Sequence, residues 1–365
     1  MPKISVLMSC YNHDKFVGEA IDSVLNQSFK DFELLIIDDN STDKTFDIVN
    51  SFKDPRIKTF RNEKNFGMVF NTNSLIKKSS GEYIAIINSD DSWLPEKLQK
   101  QLDFLENNEN YGACFTIANM INENNKIITN KKKNPFLMAN KSRYEWLNYW
   151  FYKGNCVCYP SSLIRKSCFE KVGFFNPAFI CLLDLDMWMR ICLAGYEIHI
   201  LPEKLTNFRL LNKSANLSGL NKSAIVRDYL EGSRVLYNYA KIENFAEFVK
   251  IFPEYSLREV EKSHEGWLYL IDMISGFCGA KNIPNAKKIK NFGLNFIHQK
   301  TLEDPKNMEI LATDFELNFK NYLRITSLYP NGLNAINIKF SRFIIKIFSI
   351  LFLISIFYII VMLKK

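Results

Sequence analysis

Three pairs of aspartates stand out because each closes or interrupts an apolar run: Asp38 and Asp39 in "FELLIIDD", Asp90 and Asp91 in "IAIINSDD", and Asp184 and Asp186 in "LLDLDMWMR". Adjacent carboxylates repel unless something positive lies between or beside them. After Asp91 the next basic residue is Lys97, so a hard divalent cation is the natural counter-charge. Mg²⁺ and Mn²⁺ take oxygen ligands, and Mg²⁺ typically uses one or two carboxylates with substrate phosphates completing the shell. The competing reading is a solvated cap, with Asp91 or Ser92 opening the helix of "LPEKL". Of Asp38 and Asp39, one suits a helix cap and the other is free to accept from a base N–H or a ribose hydroxyl. Tyr11 offers a flat face on which a base can stack. Acids in the first turn of a helix stabilise its dipole, which is the bland reading of Asp184 and Asp186. The alternative is a general base, its pKa raised by the apolar neighbours Leu182, Leu183, Leu185 and Trp188.

The elements that must position these residues follow from periodicity. "ISVLMSC" (4–10), "FELLIIDD" (32–39), "RIKTFRN" and "EYIAIINSDD" read as strands, and three of the four end in polar clusters. Between them "KFVGEAIDSVLNQ", "STDKTFDIVNSF" and "MVFNTNSLIKKSSG" carry helical spacing, and "LPEKLQKQLDFLEN" follows with Pro95 in its first turn. Fully apolar strands alternating with helices predict an α/β fold, a mostly parallel sheet with helices on both faces, and ligands at the carboxyl ends of the strands. From 111 to 210 the pattern is less regular, with "DLDMWMRICLAGY" helical and "EIHILPEKLTNFRL" strand-rich. From 213 to 342 amphipathic helices dominate.

The composition, 47% hydrophobic and 24% charged with a net charge of +8, is globular and suits anionic partners such as phosphorylated small molecules or an anionic membrane. Nucleic-acid binding is not expected, because no helix-turn-helix, zinc-finger or aromatic RNA-binding signature is present. The eight cysteines form no CxxC pair, so reduced thiols are expected. The C-terminal stretch is uncharged from Ile347 to Leu363 and reaches back to Phe343 if Lys346 snorkels. A bilayer core needs about 20 helical residues, so 343–365 is expected to be a transmembrane helix.

These stretches together resemble the family 2 glycosyltransferases of GT-A fold. The resemblance runs from "PKISVLMSCYNHDKFVGEAIDSVLNQSFKDFELLIIDDNSTDKT" through "NEKNFG", "GEYIAIINSDDSWLPEKL" and "VGFFNP" to "DLDMWMRICLAGY", residues 2 to about 212. It implies a GT-A domain over 1–212, followed by a helical extension (213–342) and the membrane anchor (343–365). It also implies nucleotide binding by Ser9, Tyr11 and Asp39, with Asp38 beside them, ribose and a diphosphate-bound metal at Asp90 and Asp91, and Asp184 as catalytic base. Three positions depart from the family pattern: Asn88 stands for the first acid of a "DxDD" element, Leu183 for the Glu of an "ED" pair, and Leu211 for a His.

The implied reaction is inverting transfer of a sugar from a nucleoside-diphosphate donor, with uracil as the expected base, to an acceptor hydroxyl, with Mn²⁺ or Mg²⁺ as cofactor. The anchor favours a lipid-linked acceptor in cell-surface polysaccharide or glycolipid synthesis, with the catalytic domain on the cytoplasmic side of a bacterial inner membrane. Two rivals stand beside it. An inactive sugar-nucleotide-binding scaffold of the same fold would accommodate the three departures. A nucleotidyltransferase would want a Gly-rich basic phosphate loop, which "SCYNHDK" lacks.

Overall fold

The apolar runs become the strands of one eight-stranded sheet. In this computed structural model, which describes residues 1–129, 134–211, 222–256, 264–276, 283–304, 306–315 and 317, the chain alternates as read. It runs β1 (Ile4–Cys10), α1 (Val17–Leu25), β2 (Phe32–Asp38), α2 (Thr45–Ser51), β3 (Ile57–Arg61), α3 (Met68–Lys78), β4 (Tyr83–Asn88), β5 (Ser92–Trp93) and α4 (Lys97–Glu106). Then follow β6 (Tyr111–Ile121), α5 (Arg143–Lys153), β7 (Leu163–Arg165), α6 (Lys166–Val172), α7 (Leu183–Leu193) and β8 (Glu197–Arg209).

The strand order is β3-β2-β1-β4-β7-β6-β8-β5. The half formed by β3, β2, β1 and β4 is parallel throughout, as the unbroken apolar runs require. β2 is buried at all seven positions. The other half is mixed: β7 runs antiparallel to β4 and β6, β5 antiparallel to β8, and β6 pairs β8 in parallel. Strands as short as β5 and β7 carry too few residues for a periodic signal, so their direction had no trace in the sequence.

Alternation along β1 sends Ile4, Val6, Met8 and Cys10 into one core, with Val17, Ala20, Ile21 and Val24 of α1 and Leu98, Leu102 and Leu105 of α4. α3 packs on the sheet against β1 and β2. Register decides what this scaffold presents. Ser9 sits opposite both Ile37 and Asn88, and Cys10 opposite Asp38, so the three polar strand ends leave the sheet side by side.

Beyond residue 211 the described elements are helices: α8 (Lys222–Val235), α9 (Phe245–Ile251), α10 (Gly266–Gly276), α11 (Ala286–Glu303) and α12 (Lys306–Thr313), with short 3₁₀ turns such as 236–241. Among the described residues two compact units are formed, one within 1–270 and 283–292, the other within 271–276 and 293–317. Within the second, a β-carbon at Gly293 would come to 2.6 Å from Ile274 Cγ2, so glycine there permits close helix approach. Among the described residues no helix is long and apolar enough to cross a membrane. The segment 343–365, read above as an anchor, lies outside the described residues.

Candidate active site

At the end of β2 the two acids do different work. Asp38 is fully buried; its Oδ2 accepts from the Ser41 amide at 3.1 Å and faces Arg61 Nε at 3.3 Å. Asp39 Oδ1 accepts from Asn62 Nδ2 (2.7 Å) and the Phe66 amide (2.9 Å), and its Oδ2 from the Gly67 amide (2.8 Å). Gly67 has φ +86°, a conformation that lets consecutive amides turn toward one carboxylate and that a β-carbon would strain. Asn62 also donates to Asn71 Oδ1 (2.7 Å), and Asn71 Nδ2 donates to Ser9 Oγ (3.1 Å). Ser9 and Asp39 are thus joined through two asparagines that sequence reasoning passed over. Tyr11 stands 43% exposed at the same edge, leaving its ring free for stacking.

The Asp90–Asp91 turn leaves β4 and is locked from behind by Arg209. That guanidinium is buried, although its residue ends β8, more than a hundred positions away. Its amide donates to Asp91 Oδ1 (2.8 Å), Nε to the Asp90 carbonyl (2.6 Å), and its NH2 group to Glu19 Oε2 (2.9 Å). Asp91 Oδ2 accepts from Asn88 Nδ2 at 2.9 Å. Burial, together with the charge of Asp90, pushes the Asp91 carboxyl well above the usual range. Burial also raises Asp90, against the pull of His13 and Arg209. Among the described residues no side-chain donor hydrogen-bonds the Asp90 carboxylate. His13, which sequence reasoning left unassigned, bonds Ser89 Oγ through Nδ1 at 2.8 Å; its place in the "SCYNH" cluster was the available signal.

Lys97 does not neutralise these acids. Its Nζ lies 3.8 Å from the Trp93 ring centroid and donates to Gln101 Oε1 at 2.8 Å, and burial lowers its pKa to about 7. Gln101 in turn donates to the Cys114 and Ser161 carbonyls, and Trp93 Nε1 to the Pro160 carbonyl. The turn is thereby tied to the segment before β7.

Asp184 and Asp186 separate cleanly. Asp186 pairs with Arg190 (2.8 Å) and accepts from Asn238 Nδ2 (2.9 Å), a structural role. Asp184, in the first turn of α7, accepts from Asn155 Nδ2 and from the Leu185 amide, each at 2.7 Å, and has no cationic partner among the described residues. Burial pushes its carboxyl up to about 7, with Glu231 adding to the rise. It is 8% exposed. Asp91 and Asp184 both act electrostatically on the buried Cys158 thiol. The seven described cysteines are free thiols. Among the described residues no cluster of three His, Cys, Asp or Glu forms a self-sufficient metal cage.

A family model described as Glycosyl transferase family 2 matches residues 5–173. An uncharacterized glycosyltransferase of Methanocaldococcus jannaschii is 31% identical over 232 residues, 62% of this chain and 78% of that protein. The Escherichia coli UDP-Glc:alpha-D-GlcNAc-diphosphoundecaprenol beta-1,3-glucosyltransferase WfaP is 33% identical over 231 residues, 60% of this chain and 86% of its own length. The chain belongs to the family 2 glycosyltransferases. As a member of that family it is a glycosyltransferase, and its mixed α/β sheet with flanking helices is the GT-A fold. The same fold is seen in Staphylococcus aureus TarS 1–349 in complex with UDP-GlcNAc, with a TM-score of 0.55 at 18% identity, covering 91% of this chain and 92% of that one.

Proposed function

We propose that this family 2 enzyme transfers a sugar, with inversion, from a UDP-sugar to a hydroxyl of a lipid-linked or glycan acceptor in the synthesis of a cell-surface polysaccharide or glycolipid. The observation that carries the reading is the Asp184 carboxyl: buried in the first turn of α7, held by Asn155 and the Leu185 amide, without a cationic partner among the described residues, and pushed up by burial to about 7. A base poised near working pH is what removal of a hydroxyl proton needs. Asp184 takes that proton as the acceptor oxygen forms its bond to the anomeric carbon, and the bond to the diphosphate breaks with its electron pair leaving on the diphosphate. Asn155 and the Leu185 amide hold the carboxylate in one orientation while it does so.

Ser9, Tyr11 and Asp39 receive the nucleotide, Tyr11 by stacking and Asp39 by accepting from the base, and Asp38 fixes the strand end beside them. The donor set at the turn fits a divalent cation, because a buried carboxylate without a side-chain donor is costly alone and is relieved by one. Asp90 is its foremost ligand, with Asp91, whose oxygens each already accept one bond, in support. Bound there, Mn²⁺ or Mg²⁺ supplies charge neutralisation for the departing diphosphate.

The similarity to WfaP, a UDP-Glc:alpha-D-GlcNAc-diphosphoundecaprenol glucosyltransferase, supports both a UDP-sugar donor and an undecaprenyl-diphosphate-linked acceptor. The division into a GT-A domain (1–212), a helical extension (213–342) and an anchor (343–365) belongs to the same proposal, as does a catalytic domain on the cytoplasmic face of a bacterial inner membrane. A test is UDP release from a panel of UDP-sugars with Mn²⁺ and a bacterial lipid extract. Turnover that Asp184→Asn abolishes, with donor binding kept, supports the reading; binding without turnover in the wild type contradicts it.

A further inference from the structure

The base-bearing helix is held by a residue of the helical extension. Glu231, on α8, is only 5% exposed, and its carboxylate accepts from three consecutive backbone amides: Ile180 at 3.0 Å on one oxygen, Cys181 at 2.8 Å and Leu182 at 2.9 Å on the other. Those amides close the loop between α6 and α7 and end immediately before the helix that carries Asp184. The α7 cap residue, Leu182, brings no side-chain hydrogen bond of its own, so a carboxylate from a distant element does the local work.

Two other side chains pin the same loop. Arg190 donates to the carbonyls of Val172, Gly173 and Phe174, and Asn73 exchanges two hydrogen bonds with the Phe175 backbone. Both of these belong to the GT-A half. From the extension, Asn238 adds a bond to Asp186, one turn into α7. Glu231 and Asn238 therefore grip α7 on either side of Asp184 in sequence.

We propose that Glu231 is a positioning residue for the catalytic base, and that the helical extension is in this way part of the catalytic apparatus. The inference rests on Asp184 being the base. Three charge-assisted bonds to one buried carboxylate fix the loop, and a displacement of about 1 Å at a reacting group costs up to ~10²-fold in rate. The donor site, built on the ends of β1, β2 and β4, contains none of these contacts, so turnover and donor affinity should part company.

The ionisable groups around Asp184 are Glu231 from α8, with Arg227 and Asp228 on the same helix beside Cys181, the Cys158 thiol and Tyr159 phenol from the segment after α5, and the Asp186–Arg190 pair on α7 itself, which Lys241 faces. Glu231 is the charged group among them that raises Asp184. Removing its charge therefore lowers the pKa at which the base ionises, and the acid limb of the rate profile moves to lower pH.

The test uses the full-length protein with UDP-glucose and UDP-N-acetylglucosamine, Mn²⁺ and a bacterial lipid extract, comparing wild type, Glu231→Ala, Glu231→Gln and Asp184→Asn. Glu231→Ala is expected to lower kcat by roughly 10–100-fold at an unchanged donor KM. Glu231→Gln, whose single carbonyl can still serve Cys181 and Leu182, should recover part of that loss and shift the acid limb downward. Hydrogen exchange at residues 180–182 should rise in Glu231→Ala while that at Phe66 and Gly67 stays as in wild type. Should Glu231→Ala fail to fold, Glu231→Gln carries the same comparison. A folded Glu231 variant with wild-type kcat and pH profile, while Asp184→Asn is inactive, overturns the positioning role alone. An active Asp184→Asn overturns the base assignment on which it rests.

Discussion

Asn88 Nδ2 donates to Asp91 Oδ2 at 2.9 Å, across the turn that delivers both acids to the sheet edge. The amide at this position is therefore a partner of Asp91, where an acid would be a third negative charge within hydrogen-bond distance of it. Asn88→Asp is expected to lower the melting temperature at pH 8. The gap should narrow as the pH is lowered, because the raised acids take up protons, and with Mn²⁺, which supplies positive charge. Thermal melts at pH 8 and at lower pH, with and without Mn²⁺, check this; an unchanged melting temperature would mean that the turn tolerates the third charge.

The Asp184 carboxyl, raised by burial from an ordinary 3.8 to about 7, links activity to stability. In its proposed role as base it must be ionised, so the rate should rise with pH through about 7 and level off above it. Folding favours the protonated form, so the folded state loses stability as pH climbs from about 4 to 7 and carries the full cost above that window. Asp184→Asn should therefore lose about 10²–10⁴-fold in kcat and also lose less stability than wild type between pH 4 and pH 8. Chemical denaturation at both pH values measures the second half.

Lys97 shifts in the opposite direction. Burial lowers its pKa from 10.5 to about 7, so between those values the unfolded chain binds the proton that the folded chain refuses. Stability should fall as pH drops from 10.5 toward 7, with the full cost present below 7. Lys97→Met should flatten that slope, as read from urea midpoints at pH 7 and pH 10. An unchanged slope would place the proton uptake elsewhere.

Arg209 is the back wall of the acidic turn. Replacing it with Met removes the cation beside the partly exposed Glu19 and leaves the Asp90 carbonyl without its donor, at a cost of about 1–3 kcal/mol. Denaturant titration should show that loss. A deficit below about 1 kcal/mol, the worth of a surface ion pair, would show that water replaces the guanidinium.

What the sequence made legible were features that live within one element. The strands 4–10 and 32–38 declared themselves as unbroken apolar runs, and the acids that end them followed from the rule that such sheets bind ligands at their carboxyl edge. Illegible were the partners, because each is joined across a long separation that local periodicity does not encode. Arg209 reaches Asp90 and Asp91 from the far end of β8, Glu231 reaches the α7 loop from the extension, and Asn62, although it opens the quoted "NEKNFG", and Asn71 are uncharged residues to which residue type and periodicity assign no role. Residue type and spacing left Asp184 and Asp186 alike, and only the family resemblance pointed to Asp184; Arg190 and Asn238 separate them physically by occupying Asp186 and not Asp184.

Removal of residues 343–365 tests the anchor without touching the active site. The truncated protein is expected to move from the membrane pellet to the supernatant and to keep its UDP-sugar hydrolysis. A truncated protein that still pellets with membranes would place the attachment elsewhere in the chain.

The central claim is decided most directly by one comparison: transfer of radiolabelled sugar from a UDP-sugar to bacterial lipid-linked acceptors, in wild type and Asp184→Asn, at equal donor occupancy and saturating Mn²⁺. The account predicts labelled lipid with inverted anomeric configuration from the wild type, and a loss of about 10²-fold or more in Asp184→Asn with donor affinity retained. Equal transfer by the two proteins, or a product that keeps the donor's configuration, would contradict it.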